Sequence, residues 1–248
     1  MSAKKSHLII LGITDSTNNY AMRLINDDLA THGTAIVAAG QTHGKGQRGR
    51  TWADVPGESL LMSVVVTPSY ALSQQFLYTA SIAFAIANVL QNLFPSIKFQ
   101  VKWPNDLIIH DKKAGGILIE NIIRGNKWTF SVIGLGLNVF QSGFPESLPH
   151  ATSLKMAAGV VPEMDLIRDE LWSAICNAAL YPRAANAIMD QYNGILYKKG
   201  EWQQFSAGGE TWQALLLQVR PDGLLEVQLA NGEIKTYEHG SVTWEYGH

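Results

Sequence analysis

The chain of 248 residues contains a single cysteine, Cys176. One thiol excludes an intrachain disulfide framework and any zinc site built on paired cysteines, and a reducing, cytoplasmic location suits that content. Charge of one sign is also missing: 19 lysines and arginines stand against 21 aspartates and glutamates, a net of −2 at pH 7. Attraction to a polyanion therefore has to come from a local patch, which disfavours bulk binding to DNA or to a membrane surface. Long apolar runs are absent too. No segment reaches the roughly 18–20 apolar residues of a membrane span, and "SIAFAIANVL" comes nearest, with the length of a buried helix. Residues 8–13, which follow Lys4 and Lys5, are too short for a secretory h-region, and no small-residue cleavage site comes after them. The seven histidines show no metal-ligand spacing, with His43 and His110 read as loop residues. No repeat or low-complexity tract is visible.

What is present is the apolar content of an ordinary globular protein, long enough for one main domain and a small appendage. Residues 7–13 predict a strand, and "DSTNN" caps a helix carrying Tyr20, Ala21 and Leu24 at helical spacing. "TAIVAAG" and "ESLLMSVVVTP" predict two more strands, and residues 73–94 a helix stopped by Pro95. "IKFQVKW" then alternates strictly, with Ile97, Phe99, Val101 and Trp103 on one face and Lys98, Gln100 and Lys102 on the other. "LIIH", "GILIENII" and "WTFSVIGLGLNV" continue as strands of an antiparallel meander. Pro162 opens a second long helix that ends before Pro182, and a shorter helix runs towards "YNG". From about residue 200, Asp-Gly and Asn-Gly turns separate short apolar strands, as in a small β-barrel. The expected division is 1–198 and 199–248.

The stretch "GQTHGKGQRGRTWADVPG" spells G-x-G-x-x-G through Gly44, Gly46 and Gly49. A Rossmann turn needs a helix directly afterwards and an acid about 20 residues on. Here a proline, another glycine and a strand follow, and residues 66–75 contain no acid. A P-loop fails because Gly46 follows Lys45 where Ser or Thr is required and Gly40 stands one residue too close. A kinase loop fails because Arg50 and Thr51 follow Gly49 without the required valine. The loop still places Lys45, Arg48 and Arg50 among three glycines, which suits an anion such as phosphate; a solvated surface loop is the bland alternative.

Three further segments carry polar chemistry. "VKWPNDL" brings Lys102, Asn105 and Asp106 towards one rim of a sheet, although an ordinary turn also selects Pro-Asn-Asp. "DKKAGGILIE" sets two lysines before Gly115 and Gly116, where the chain can pass close to a bound molecule or simply form a surface hairpin. "GLGLNV" alternates Gly134 and Gly136 with leucines, and its bare face accommodates a ligand or a helix. Cys176, in a helical pattern, reads as a buried structural thiol, and Trp172 and Trp202 as core or domain-joint residues.

Taken in order, "DSTNN", "GQTHGKGQRGRTW", "VKWPNDL", "KKAGGILIE" and "GLGLNV" resemble the motif series of biotin–protein ligases; "ATSL" at 151–154 and "TYEHGSVTW" extend the resemblance over nearly the whole chain. The resemblance implies an α+β fold: a mixed, largely antiparallel sheet flanked by helices, related to lipoate ligases, plus a small C-terminal SH3-like β-barrel. It implies a cytoplasmic enzyme that converts biotin and MgATP to biotinyl-5′-adenylate and then transfers biotin to a lysine of a biotin carboxyl carrier domain. By the same resemblance Ser16, Thr17, Asn18 and Gln41 contact the biotin ring, and Gly44, Lys45, Gly46 and Gln47 close over it. Gly115, Gly116 and Ile117 line the biotin tail. Arg48, Gly49 and Arg50, with Gln47, face the nucleotide; Trp52 flanks the adenine; Lys102, Asn105 and Asn138 surround the nucleotide; and Asp106 holds Mg2+. Lys113, which also touches biotin and nucleotide, matches the essential lysine, with Arg48 and Lys102 assisting.

The chain departs from the commoner Gly-Arg-Gly-Arg-x-Gly-Arg loop at Lys45 and Gln47, which replace its first two arginines, so weaker retention of the adenylate is expected. Only 15 residues precede Ser16, which leaves no room for the helix-turn-helix of family members that repress transcription, and no operator binding is expected. Monomer and homodimer stay open. A lipoate ligase or octanoyl transferase on the same scaffold is the rival enzyme, and a catalytically silent binding module the rival of another class.

Overall fold

The computed structural model describes residues 7–244, so Lys4 and Lys5 lie outside the described residues. Seven strands form the main sheet: β1 (Leu8–Thr14), β2 (Thr34–Gln41), β3 (Ser59–Val66), β4 (Gln100–Lys102), β5 (Asp106–Ile109), β6 (Lys112–Arg124) and β7 (Lys127–Asn138). Their order is β1-β2-β3-β7-β6-β5-β4; β1 and β2 run parallel and every other neighbour is antiparallel. The meander expected from the sequence is thus β4 to β7, and the sheet is mixed but largely antiparallel.

β3 reads as an unbroken apolar run because both of its faces are covered. Leu60, Met62, Val64 and Val66 pack with α2 (Gln75–Leu93) and α4 (Met164–Leu180), whereas Val65 faces α1 (Thr17–Asn26) with Ala21 and Ile25. The sheet therefore lies between α1 on one side and α2, α4 and α5 (Ala185–Gly194) on the other. Leu72–Leu93 is long and apolar enough to cross a membrane by length and composition, more than the sequence reading allowed. Its Tyr78, Ile82, Ile86 and Leu90 are fully buried in the protein core.

Two expectations need correction. "IKFQVKW" keeps its predicted phase, with Ile97, Phe99, Val101 and Trp103 buried, but pairs only over Gln100–Lys102, because its partner β5 is four residues long. Trp202 is 49% exposed and serves neither core nor joint, whereas Trp172 donates its indole N–H to the Gly33 carbonyl at 3.0 Å.

The C-terminal strands β8 (Trp202–Ala207), β9 (Glu210–Val219), β10 (Leu225–Leu229), β11 (Ile234–Tyr237) and β12 (Thr243–Trp244) form a second, antiparallel sheet in the order β11-β10-β9-β8-β12. Its tight turns rest on Gly223 and Gly232, whose φ of 90° and 87° suit glycine alone without strain. Asn193 of α5 holds this sheet by bonding both backbone groups of Val219, at 2.9 and 2.8 Å. Trp103 Nε1 adds a bond to the Gly223 carbonyl at 3.1 Å.

Candidate active site

Strand register builds the floor of one large cavity. Leu61, Gly136, Gly116, Asp106 and Lys102 are successive cross-strand partners on β3, β7, β6, β5 and β4, so they form one row on one face of the sheet. The neighbouring row runs Ser63, Gly134, Leu118. The three glycines leave a trough over the α1 side of the sheet, with Asp106 and Lys102 at its far end. Trp52 lies in that trough: a Cβ on Gly136 would stand 2.6 Å from its ring, and one on Gly116 3.4 Å. The bare face foreseen in "GLGLNV" is thus partly filled by the chain's own Trp52 and, over Gly134, by Asn18. The remaining cavity is about 460 Å³, within the ~300–1,000 Å³ of small-molecule sites.

Polar groups collect at the α1 end. Gln41 Oε1 accepts from the Thr17 N–H at 2.8 Å, so a side chain of β2, not the N-cap Ser16, satisfies that helix donor. Asn18 Nδ2 donates to Glu120 Oε2 at 2.7 Å, and Lys45 Nζ pairs with Glu120 Oε1 at 3.6 Å. Cations collect at the other end. Lys113 Nζ lies 2.6 Å from Asp106 Oδ1 and 5.9 Å from the Trp52 ring centre. The Lys113 backbone is pinned on both sides, its N–H to the His150 carbonyl at 2.7 Å and its carbonyl to the Thr152 N–H at 2.9 Å. Lys102 was expected on a polar face, but it is 4% exposed and donates to the Trp244 carbonyl at 2.8 Å. The second sheet has folded over it.

The basic loop is a tight hairpin of its own. Gly46 N–H bonds the Arg50 carbonyl at 2.7 Å and Trp52 N–H the Gly44 carbonyl at 2.9 Å. A Cβ on Gly44 would meet the Trp52 carbonyl at 2.5 Å, and Gly49 has φ 74°. Those two glycines therefore serve the loop's closure and do not line the cavity. Arg48, also left-handed with φ 54°, turns its guanidinium onto the His239 carbonyl and over Gly240. Burial, with Arg48 and Arg50 nearby, holds His239 below the usual histidine range.

Most residues singled out in the sequence converge here. Ser16, Thr17, Asn18 and Gln41 line the cavity, as do Lys45, Gly46, Gln47, Arg48, Arg50 and Trp52. Lys102, Asn105, Asp106, Lys113, Gly116 and Ile117 complete the set. Gly115 faces away and abuts the Gly136 carbonyl, which a Cβ would approach to 2.8 Å. Asn138 is buried, with Nδ2 on the Thr152 carbonyl at 3.0 Å, and Asn105 Nδ2 bonds the Ile117 carbonyl at 2.6 Å. Sequence reasoning missed Glu120, Leu118 and the wall His239, Gly240, Val242 and Trp244. The one acid in "GILIENII" was the available signal for Glu120. Two buried polar atoms of cavity-lining residues, Gln47 Oε1 and Trp52 Nε1, have no hydrogen-bond partner among the described residues, which suits a polar ligand.

Cys176 lies apart on α4, where burial pushes its thiol up from 9.0 to about 11. The thiolate is scarcer near neutral pH than in a free cysteine, so alkylation by iodoacetamide at pH 7.5 is expected to be about tenfold or more slower than for a cysteine peptide. Equal rates, followed by mass spectrometry, would contradict that burial.

A profile of the biotin/lipoate A/B protein ligase family matches residues 11–138, more than half of the chain. The chain belongs to this family. The match runs from β1 to the end of β7, and so contains the trough, the basic loop and Lys113, but not the wall at residues 239–244. The bifunctional ligase/repressor BirA of Bacillus subtilis is 36% identical over 156 residues, 62% of this chain and 47% of that protein. The biotin–[acetyl-CoA-carboxylase] ligase of Mycobacterium tuberculosis is 32% identical over 170 residues, 66% of this chain and 60% of that protein. The chain spans about half the length of the BirA proteins it matches. The biotin protein ligase from Aquifex aeolicus in complex with biotin and ATP has the same fold, with a TM-score of 0.78 over 97% of this chain and 99% of that one at 23% identity.

Proposed function

We propose that the protein is a biotin–protein ligase that activates biotin with MgATP and transfers it to a lysine of a biotin carboxyl carrier domain. The observation that carries this reading is the division of one trough into a polar end, with Thr17, Asn18 and Gln41, and a cationic end, with Lys113, Lys102 and Arg48. Biotin has the matching sequence of groups: a cyclic urea, an apolar tail that suits Leu118 and the Trp52 ring, and a carboxylate that must meet phosphates. A dithiolane ring would leave the polar end without partners, a mismatch that disfavours lipoate strongly.

In the first step a carboxylate oxygen of biotin bonds the α-phosphorus of ATP and pyrophosphate leaves. Two anions have to approach, so fixed cations that lower their repulsion and stabilise the charge on the phosphorus oxygens are what the site must supply. Lys113, backed by Asp106 and pinned through its backbone, is suited to that task, with Lys102 and Arg48 beside it. Mg2+ neutralises phosphate charge when bound. Among the described residues no three acidic, histidine or cysteine side chains cluster, and one carboxylate, Asp106, with the substrate phosphates is a donor set that Mg2+ accepts. In the second step the acceptor lysine amine bonds the acyl carbon, AMP leaves and the amine loses its proton. The reading includes a cytoplasmic setting and a division at residues 198 and 199, with the second unit closing the trough through residues 239–244.

The test is pyrophosphate release from MgATP with biotin, lipoate or octanoate as the acid. Release with biotin and background rates with the others is expected; release with lipoate or octanoate alone would reassign the substrate. Gln47 refines the reading, since it stands where an arginine is commoner in the loop and its Oε1 has no hydrogen-bond partner among the described residues. Gln47→Arg is expected to slow loss of the adenylate several-fold in a filter-binding chase; an unchanged half-life would remove Gln47 from that role.

A further inference from the structure

Ser63 sits in the middle of β3 with 0% exposure, in the apolar run "SLLMSVVV". A buried hydroxyl there is tolerated only when it is hydrogen-bonded. Its Oγ donates to Asn18 Oδ1 at 2.6 Å and lies 2.7 Å from Thr17 Oγ1. The direction of the first bond is fixed by a charge on another strand. A carboxylate accepts only, so the Asn18 amide nitrogen must face Glu120, 2.7 Å away, and its oxygen must face Ser63. Gly134, the cross-strand partner of Ser63, lies directly under Asn18, and any side chain there would collide with Asn18 Oδ1. Asn18 is therefore held by β3 on one side, β6 on the other and β7 beneath.

We infer that Ser63 is a positioning residue for the polar head of the ligand, one that selects a cyclic urea over a ring without N–H and C=O groups. The inference rests on the biotin reading of the trough. Ser63 and Glu120 orient Asn18, and Thr17, beside Ser63, passes its N–H to Gln41 Oε1. The side chains that meet the ligand head thus share one fixed set of donor and acceptor directions, and the Lys45 ion pair with Glu120 ties the basic loop to the same set. Without the Ser63 hydroxyl, Asn18 Oδ1 loses its buried donor and the amide is held from one side only. A mobile amide gives up binding to a urea that needs defined directions, but takes nothing from a nucleotide bound at the cationic end.

The test compares wild type, Ser63→Ala and Ser63→Thr in pyrophosphate release, with biotin and MgATP varied separately, and in calorimetric titration with biotin alone. For Ser63→Ala the biotin KM and Kd are expected to rise about tenfold, with kcat within twofold, the MgATP KM unchanged and the preference for biotin over lipoate narrowed. Ser63→Thr, which keeps the hydroxyl, restores biotin affinity. A biotin KM equal to wild type in Ser63→Ala, or equal losses for biotin and MgATP with a lowered Tm, would overturn the inference and leave Ser63 a packing residue. Wild type that releases no pyrophosphate with biotin would instead overturn the proposed function, and the inference with it.

Discussion

Replacing Lys113 by alanine is expected to reduce biotin-dependent pyrophosphate release roughly a hundred- to a thousandfold, the usual cost of removing one group that stabilises transition-state charge. The loss should fall on kcat. The ammonium stands 2.6 Å from Asp106 Oδ1 at the cationic end, and in the proposed reading the biotin ring binds at the opposite end of the trough. Lys113→Ala should therefore bind biotin alone within a few-fold of wild type in calorimetry, and Lys113→Arg should recover part of the rate. The Lys113 backbone bonds to His150 and Thr152 involve no side-chain atom, so the strand position survives the substitution. A Lys113→Ala enzyme that keeps a tenth or more of the wild-type kcat would remove this lysine from the chemistry.

The second large effect concerns a residue with no functional group at all. Gly136→Ala would put a methyl group 2.6 Å from the Trp52 ring, and relief to ordinary contact requires a ring shift of about 1 Å. Trp52 joins three parts of the site: its ring covers the trough floor, Lys113 stands over it, and its N–H closes the basic loop on Gly44. A displacement of that size is expected to cost about a hundredfold in kcat/KM, for biotin and MgATP alike. Gly12→Ala is the control, because nothing lies within 4 Å of a Cβ on that strand and wild-type rates should persist. Wild-type kinetics in Gly136→Ala would show that the tryptophan adapts freely and that the floor is not defined by glycine.

The sequence pattern carried the element order and much of the site, and the reasons for its failures are physical. Alternation in "GILIE" and "GLGLN" tells which residues share a face, and pairing Gly116 with Gly136 and Asp106 then aligns the trough. Alternation cannot tell what covers a face. Lys102 falls on the polar side of its strand, yet it is buried because Trp244, 142 residues later, closes over it. A still larger separation, 191 residues, hides the contact of Arg48 with the turn at His239 and Gly240. Glycine content was legible but not its purpose: Gly44 and Gly49 serve a hairpin, Gly115 clears a neighbouring carbonyl, and Gly136 makes room for the Trp52 ring, which also lies beside Gly116. Ser63 and Glu120 are polar residues set among apolar neighbours, and only the register that sets both against Asn18 gives them a role.

The central claim is that this trough activates biotin for transfer to a protein. The most direct measurement incubates the protein with biotin, MgATP and a biotin carboxyl carrier domain, and reads the carrier's intact mass and the modified residue. The account predicts a gain of one biotin less one water on the acceptor lysine, dependent on ATP, absent when that lysine is replaced by arginine and strongly slowed in Lys113→Ala. A carrier of unchanged mass, while a lipoyl carrier domain gains lipoate under the same conditions, would contradict it.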